Sequence, residues 1–228
     1  MVDATAAAPD PDEVSRRMAA ESLADGDPTG WFERLYRAAA AGTTRVPWDR
    51  GGPNPFLPPW ARRAGVAGRG RRALVVGCGL GDDAEYVAGL GFATVAFDVS
   101  AAALAACRQR FPGSAVAYEL ADLLDPPRRW IGAFDLVVES QTVQALPRSL
   151  RAVATANGAA TVAPGGTLLV LAGALPADGD PDDGPPWRLT RPEVEAFATG
   201  GLAPVRIELL ADPARPGVRR WRAEFRRP

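Results

Sequence analysis

Ala73-Leu74-Val75-Val76-Gly77-Cys78-Gly79-Leu80-Gly81-Asp82-Asp83 is an apolar, β-branched run that breaks into alternating glycines and ends on two acids. Such a run reads as a buried parallel strand feeding a tight loop, and glycines in that loop let backbone approach a ligand. A helix-length interval later, Thr94-Val95-Ala96-Phe97-Asp98 reads as a second strand that ends on a carboxylate. Strand, glycine loop, helix, strand and terminal acid describe a nucleotide-type cofactor site at the carboxyl edge of a parallel sheet, with Asp98 placed to meet ribose hydroxyls.

The dinucleotide fingerprint needs a third small residue three positions after the second glycine, and that position is Asp82. Asp82 and Asp83 at a helix N-terminus complement the helix dipole but repel a pyrophosphate. S-adenosylmethionine carries a sulfonium, an amino group and a carboxylate but no phosphate, so an acidic rim suits it. The loop therefore points to S-adenosylmethionine, with S-adenosylhomocysteine as the product left behind.

Outward from this stretch, Ala93–Asp98, 115–119, Phe134–Glu139 and Thr167–Ala172 continue the strand pattern, with helices expected over 82–90, 100–110 and 147–161 and Ser100 as an N-cap. Arg191–Thr199 reads as a helix, and Val205–Leu210 with Val218–Phe225 as a closing pair of strands. Residues 71–228 thus form the cofactor-binding α/β domain, and residues 1–11, mostly Ala, Pro and Asp, a disordered tail. Between them, residues 12–70 hold helices over 12–23 and from Trp31, then the segment Val46–Trp60. Its five prolines preclude a regular helix or central strand, yet it carries Trp48, Phe56 and Trp60. An extended lid over the cofactor, with Trp48 facing the sulfonium, accounts for both features; a rigid linker sealing the core edge is the plainer alternative.

Composition restricts the chemistry. All 26 basic residues are arginine and there is no histidine, which excludes imidazole bases, histidine metal sites and Schiff-base lysines. With 27 acids against them, no global field favours nucleic acid or an anionic membrane. Arginine clusters at 69–72 and 219–222 read as solvated surface. Cys78 and Cys107 form no disulfide framework or metal spacing, and the acidic loop 176–186 lacks the terminal Glu of a calcium loop. No metal site, export signal or apolar span is evident, so a cytoplasmic monomer or homodimer is expected.

Four patches resemble the class I S-adenosylmethionine-dependent methyltransferases, and more narrowly the thiopurine, thiol and halide methyltransferase group: Pro47-Trp48-Asp49; Ala73–Asp83; Phe134–Glu139 with Ala145-Leu146-Pro147; and Gly184-Pro185-Pro186-Trp187. The resemblance implies a Rossmann-like, doubly wound seven-stranded sheet of order 3-2-1-4-5-7-6 with strand 7 antiparallel. It implies that Gly77, Cys78, Gly79, Gly81 and Asp83 hold the methionyl part, Asp98 and Val99 the ribose, and Asp122 and Leu123 the adenine, with Trp48 as cover. Glu139, Ser140 and Gln141 would line the meeting point of methyl group and acceptor, Glu139 also touching cofactor. Ser140 stands where the group often has an aromatic and Asp82 replaces another, which argues against halide. A small molecule with a thiol or other soft nucleophile is the expected acceptor. The alternatives are an oxygen or nitrogen acceptor, with Glu139, Asp49 or Tyr36 as base, or a non-catalytic cofactor-binding protein.

Overall fold

The computed structural model describes residues 10–228. In chain order the elements are α1 (Pro11–Ala24), α2 (Gly30–Ala40), α3 (Leu57–Arg63), β1 (Arg72–Val76), α4 (Asp82–Gly89), β2 (Ala93–Asp98), α5 (Ala101–Arg110), β3 (Ala117–Leu120), β4 (Phe134–Ser140), α6 (Arg148–Ala160), β5 (Val162–Gly173), α7 (Arg191–Glu195), β6 (Ala203–Ala211) and β7 (Arg219–Arg226). Short 3-10 turns follow β3 and β4. The strands form one sheet of order β3-β2-β1-β4-β5-β7-β6, parallel from β3 to β5, with β7 antiparallel to both neighbours.

Alternation along β1 explains why both sheet faces are covered. Leu74 and Val76 point into one core, completed by Ala154 and Ala159 of α6, Val194 of α7, Trp130 and Phe197. Ala73 and Val75 point into the other, completed by Leu57 and Trp60 of α3, Ala84 and Val87 of α4, and Leu104 and Cys107 of α5. Every side chain from Ala73 to Val76 is buried, which is why the strand reads as an unbroken apolar run. Val76 stands beside Phe97 on one side and Glu139 on the other, so β1, β2 and β4 end at one edge. Strand order reverses between β1 and β4, the position where such sheets open a crevice.

Some expectations need correction. The proline-rich segment does contain a helix: Pro58 and Pro59 occupy the first turn of α3, where a missing N–H costs nothing. Asp10 and Pro11, assigned above to a disordered tail, cap and begin α1, with Asp10 Oδ1 accepting from the Asp12 amide at 3.0 Å; the rest of that tail lies outside the described residues. β5 starts five residues early, because Val162 pairs with Phe134 before the register shifts around Pro164–Gly166. A Cβ at Gly166 would lie 2.9 Å from the Phe134 carbonyl oxygen, so this close passage requires glycine. α7 ends at Glu195 rather than Thr199. Arg222 is buried and bonded to Glu208 at 3.0 Å, not solvated. Among the described residues, no helix is long and apolar enough to cross a membrane.

Candidate functional site

Gly77 and Gly79, both at positive φ (55° and 56°), turn the chain sharply after β1, and Gly81 (φ 90°) starts α4. The loop is held from two sides. The Gly79 amide donates to Asp98 Oδ2 at 2.9 Å, while Asp98 Oδ1 accepts from the Ser100 amide at 2.9 Å. Cys107 Sγ lies 3.1 Å from the Gly79 carbonyl oxygen, and Thr142 Oγ1 donates to the Val76 carbonyl at 3.0 Å. Burial pushes the Asp98 carboxyl up to about 6, against the lowering effect of the Ser100 and Gly79 amides.

A cavity of about 250 Å³ opens over this loop. Gly77, Cys78, Gly79, Gly81, Asp83, Asp98, Val99, Asp122 and Leu123 all line it, as do Trp48, Ser140 and Gln141. Asp122 spends one oxygen on the Leu124 amide at 2.8 Å, an Asx turn that holds its carboxylate in place. The proline-rich segment divides its labour. Pro47 to Asn54 borders the cavity, whereas Leu57 and Trp60 are buried in the core, Trp60 Nε1 donating to Glu224 Oε2 at 2.8 Å.

Glu139 is the site residue the structure moves away. It does not line the cavity. Its Oε1 accepts from the Thr142 and Val143 amides at 2.7 and 2.9 Å, its Oε2 is buried without a partner, and burial pushes its carboxyl up to about 7. The wall expected from it is built by Ser140, Gln141 and Thr142. Likewise, Pro185, Pro186 and Arg188 border the cavity, while Trp187 anchors their loop through its amide bond to the Gln144 carbonyl at 2.9 Å.

Three residues tie the N-terminal segment to this edge: Asn54 and Glu33, which no sequence pattern marks, and Tyr36, expected only as an alternative base. Tyr36 of α2 is buried, and its hydroxyl accepts from Trp48 Nε1 at 2.9 Å, fixing the indole over the loop. Burial first and the Asp98 charge second raise the Tyr36 phenol well above its ordinary value, so it stays protonated. Asn54 places its amide 2.6 Å from Asp83 Oδ1 and its Nδ2 3.0 Å from Ser140 Oγ. Glu33 Oε2 accepts from Ser100 Oγ at 2.7 Å and from the Ala102 amide at 3.0 Å, docking α2 on the start of α5.

Charge is divided across the cavity. Asp49, Asp82, Asp83, Asp98 and Asp122 gather on the glycine-loop side, Arg110 bridging Asp49 and Asp82 at 3.3 Å each. Arg50, Arg188, Arg215 and Arg220 stand on the side toward β5 and β7. The acidic, aromatic end fits a cationic cofactor without phosphate, and a Cβ on Gly79 would sit 3.0 Å from Tyr36 Oη, a tight contact that adds to the strain of its positive φ.

Residues 73–166 match the family model of a methyltransferase domain. The matched stretch runs from β1 into β5 and contains the glycine loop, within a Rossmann-like sheet. Among solved structures, the chain resembles a protein from a study of the conversion of a disulfide bond into a thioacetal group during echinomycin biosynthesis, with TM-score 0.70, 24% identity and coverage of 87% of this chain and 91% of that one. It also resembles the N-methyltransferase NodS from Bradyrhizobium japonicum WM9 in complex with S-adenosylhomocysteine (TM-score 0.64, 21% identity, 86% and 98% covered). The [4+2]-cyclase SpnF is a third (TM-score 0.62, 18% identity, 97% of each chain). At these identities the likeness is one of fold. No curated protein matches the sequence.

Proposed function

We propose that the protein methylates a small molecule at sulfur or another soft nucleophile. The observation that carries this reading is the make-up of the wall that continues from the glycine loop past the end of β4: Ser140, Gln141, Thr142, Gln144 and arginines, with Glu139 turned away beneath it. None of those side chains takes a proton at neutral pH. An acceptor that arrives already nucleophilic needs no such base, and arginines nearby favour its thiolate form. The sulfur chemistry named for the echinomycin-pathway neighbour and the resemblance to the thiopurine, thiol and halide group support the same choice.

S-adenosylmethionine, when bound, supplies a methyl group activated by the positive charge on its sulfur. The task left to this chain is placement and exclusion of water. Gly77, Cys78, Gly79 and Gly81 give a backbone cradle beside the acids, and Asp98 with Val99 takes the ribose. Asp122 and Leu123 border the adenine, and Trp48, held by Tyr36, covers the sulfonium. Asp83 anchors the covering segment through Asn54, which in turn sets Ser140 at the acceptor wall.

The experiment is methyl transfer from radiolabelled cofactor across matched thiols, phenols and amines. Thiols should react fastest, with a rate rising with pH up to the thiol's own pKa; turnover of phenols or amines without thiols would sink the reading. Fold alone does not decide, since SpnF shares it under the name of a cyclase. A second reading, transfer to oxygen or nitrogen, rests on Asp12, an exposed α1 residue at the cavity rim. Under it, Asp12→Asn removes turnover while cofactor binding persists.

A further inference from the structure

Four arginines from separate segments meet on one side of the cavity: Arg50 of the covering segment, Arg188 after the Gly-Pro-Pro-Trp stretch, Arg215 of the β6–β7 turn and Arg220 of β7. Their convergence is built into the backbone. Gly173, the last residue of β5, pairs with Arg220, and a Cβ there would lie 3.3 Å from Arg188 Cγ and 3.3 Å from Arg220 Nη1. Its lack of a side chain leaves room for two arginine side chains over the strand end.

Their charges are not balanced locally. Arg220 is paired with Asp212 at 2.8 Å, and Arg50 Nη2 donates to neutral Gln141 Oε1 at 2.8 Å. Among the described residues, Arg188 and Arg215 make no side-chain hydrogen bond or ion pair. Enclosure first and the Arg220 charge second push the Arg50 guanidinium down, with Arg215 adding to the effect, while Asp83 and Asp212 hold it up. Arg16, also on the rim, is matched by Asp183 at 3.8 Å. Four arginines with Asp212 as the one carboxylate ion-paired to them among the described residues are the arrangement that recognises an oxyanion.

We propose that the methyl acceptor carries an anionic group, a carboxylate or a phosphate ester, which docks between Arg50, Arg188 and Arg215 while its nucleophile faces the Ser140–Thr142 wall. The proposal rests on the methyl-transfer reading above and narrows its substrate class. The cofactor has one carboxylate of its own, and Arg50 feels the charge of Asp83 beside the glycine loop, so the variant below spares Arg50 and removes Arg188 and Arg215.

The test uses three thiols of similar shape: 4-mercaptobenzoate, 4-mercaptophenyl phosphate and neutral 4-methylbenzenethiol. Each is titrated calorimetrically into the full chain saturated with S-adenosylhomocysteine, and each is assayed for turnover with S-adenosylmethionine. At least one charged thiol should bind about tenfold more tightly than the neutral one, and the better of the two tells carboxylate from phosphate. In the exposed pair Arg188→Gln/Arg215→Gln that preference should vanish while S-adenosylhomocysteine affinity stays within about twofold. Equal affinity for charged and neutral thiols, or binding by neither charged probe, overturns the proposal. So does a large loss of S-adenosylhomocysteine affinity in the double variant, which would assign the arginines to the cofactor's carboxylate. A charged thiol that binds through the arginines yet is never methylated would instead sink the thiol-transfer reading and leave the anion site standing.

Discussion

The Gly79 amide and the Asp98 carboxylate, nineteen residues apart, meet at 2.9 Å and lock the glycine loop to the end of β2. Under the proposed function the same carboxylate meets the ribose, and its ionisation then controls both the loop and the ligand. Burial puts the Asp98 pKa near 6 against an ordinary 3.8. For the free protein the sign is that of a raised acid: its contribution to stability is complete below 3.8 and is lost as pH rises through 6. Ligand binding runs the other way, because ribose hydroxyls donate to the ionised form. S-adenosylhomocysteine affinity should therefore fall about tenfold per pH unit below 6 and level off above it. Calorimetric titration between pH 5 and 8 checks this. Asp98→Asn should remove the inflection and weaken binding at pH 8; an unchanged affinity there would refute the ribose assignment.

Gly79→Ala probes the loop itself. At φ 56° an alanine is strained by about 1–2 kcal/mol, and its Cβ would press on Tyr36 Oη at 3.0 Å. Denaturation in urea should show a loss of this size, with cofactor affinity falling further because the Tyr36–Trp48 pair must move. Adding Tyr36→Phe removes the obstructing oxygen, so the double variant should recover part of the affinity that the single one loses.

Asn54 is the clasp between the covering segment and the catalytic edge. Asn54→Ala deletes the 3.0 Å bond to Ser140 Oγ and the 3.2 Å bond from the Phe56 amide, while its own amide still reaches Asp83. With Asn54 buried, about 1–3 kcal/mol of stability should go. Loosening of Ser140 should also lower kcat more than it changes cofactor affinity, and stopped-flow binding beside steady-state turnover separates the two.

The contrast between what these tests use and what the sequence discloses is physical. β1 and β2 are readable because a strand buried on both faces must be apolar throughout, and the glycine loop because a positive φ repeated at 77, 79 and 81 demands glycine. Ser100 is readable because an N-cap acts within three residues; its oxygen does accept from the Ala103 amide at 3.0 Å. Asn54, Glu33 and Tyr36 act on partners 86, 67 and 12 positions away. No local pattern marks such residues, because the contact exists only after the chain has folded. The α3 helix was hidden for a different reason. A proline pair terminates a helix in its interior and starts one in its first turn, and the residues alone do not say which end they occupy. Arg220 and Arg222 show the same limit: two neighbours on one strand, one facing the cavity and one buried against Glu208.

Glu139 gives the sharpest pH prediction. Its carboxyl is fully enclosed, with Oε1 satisfied by the Thr142 and Val143 amides and Oε2 facing no partner. Burial raises its pKa to about 7 from an ordinary 4.5, more than the two amides lower it, so the folded protein holds this group as a neutral acid at pH 6. Unfolding at pH 8 releases a carboxylate that water solvates well. Stability contributed by the group is thus complete below 4.5 and is lost as pH rises through about 7, a difference on the order of 3 kcal/mol once both states are ionised. Glu139→Gln keeps an oxygen for the two amides and cannot ionise. Urea denaturation at pH 6 and pH 9 should show the native protein losing stability between the two and the glutamine variant losing much less, so that the order of stabilities favours glutamine at pH 9. Parallel pH profiles for the two proteins would mean that Glu139 is ionised in the fold, with a counter-charge or solvent reaching Oε2.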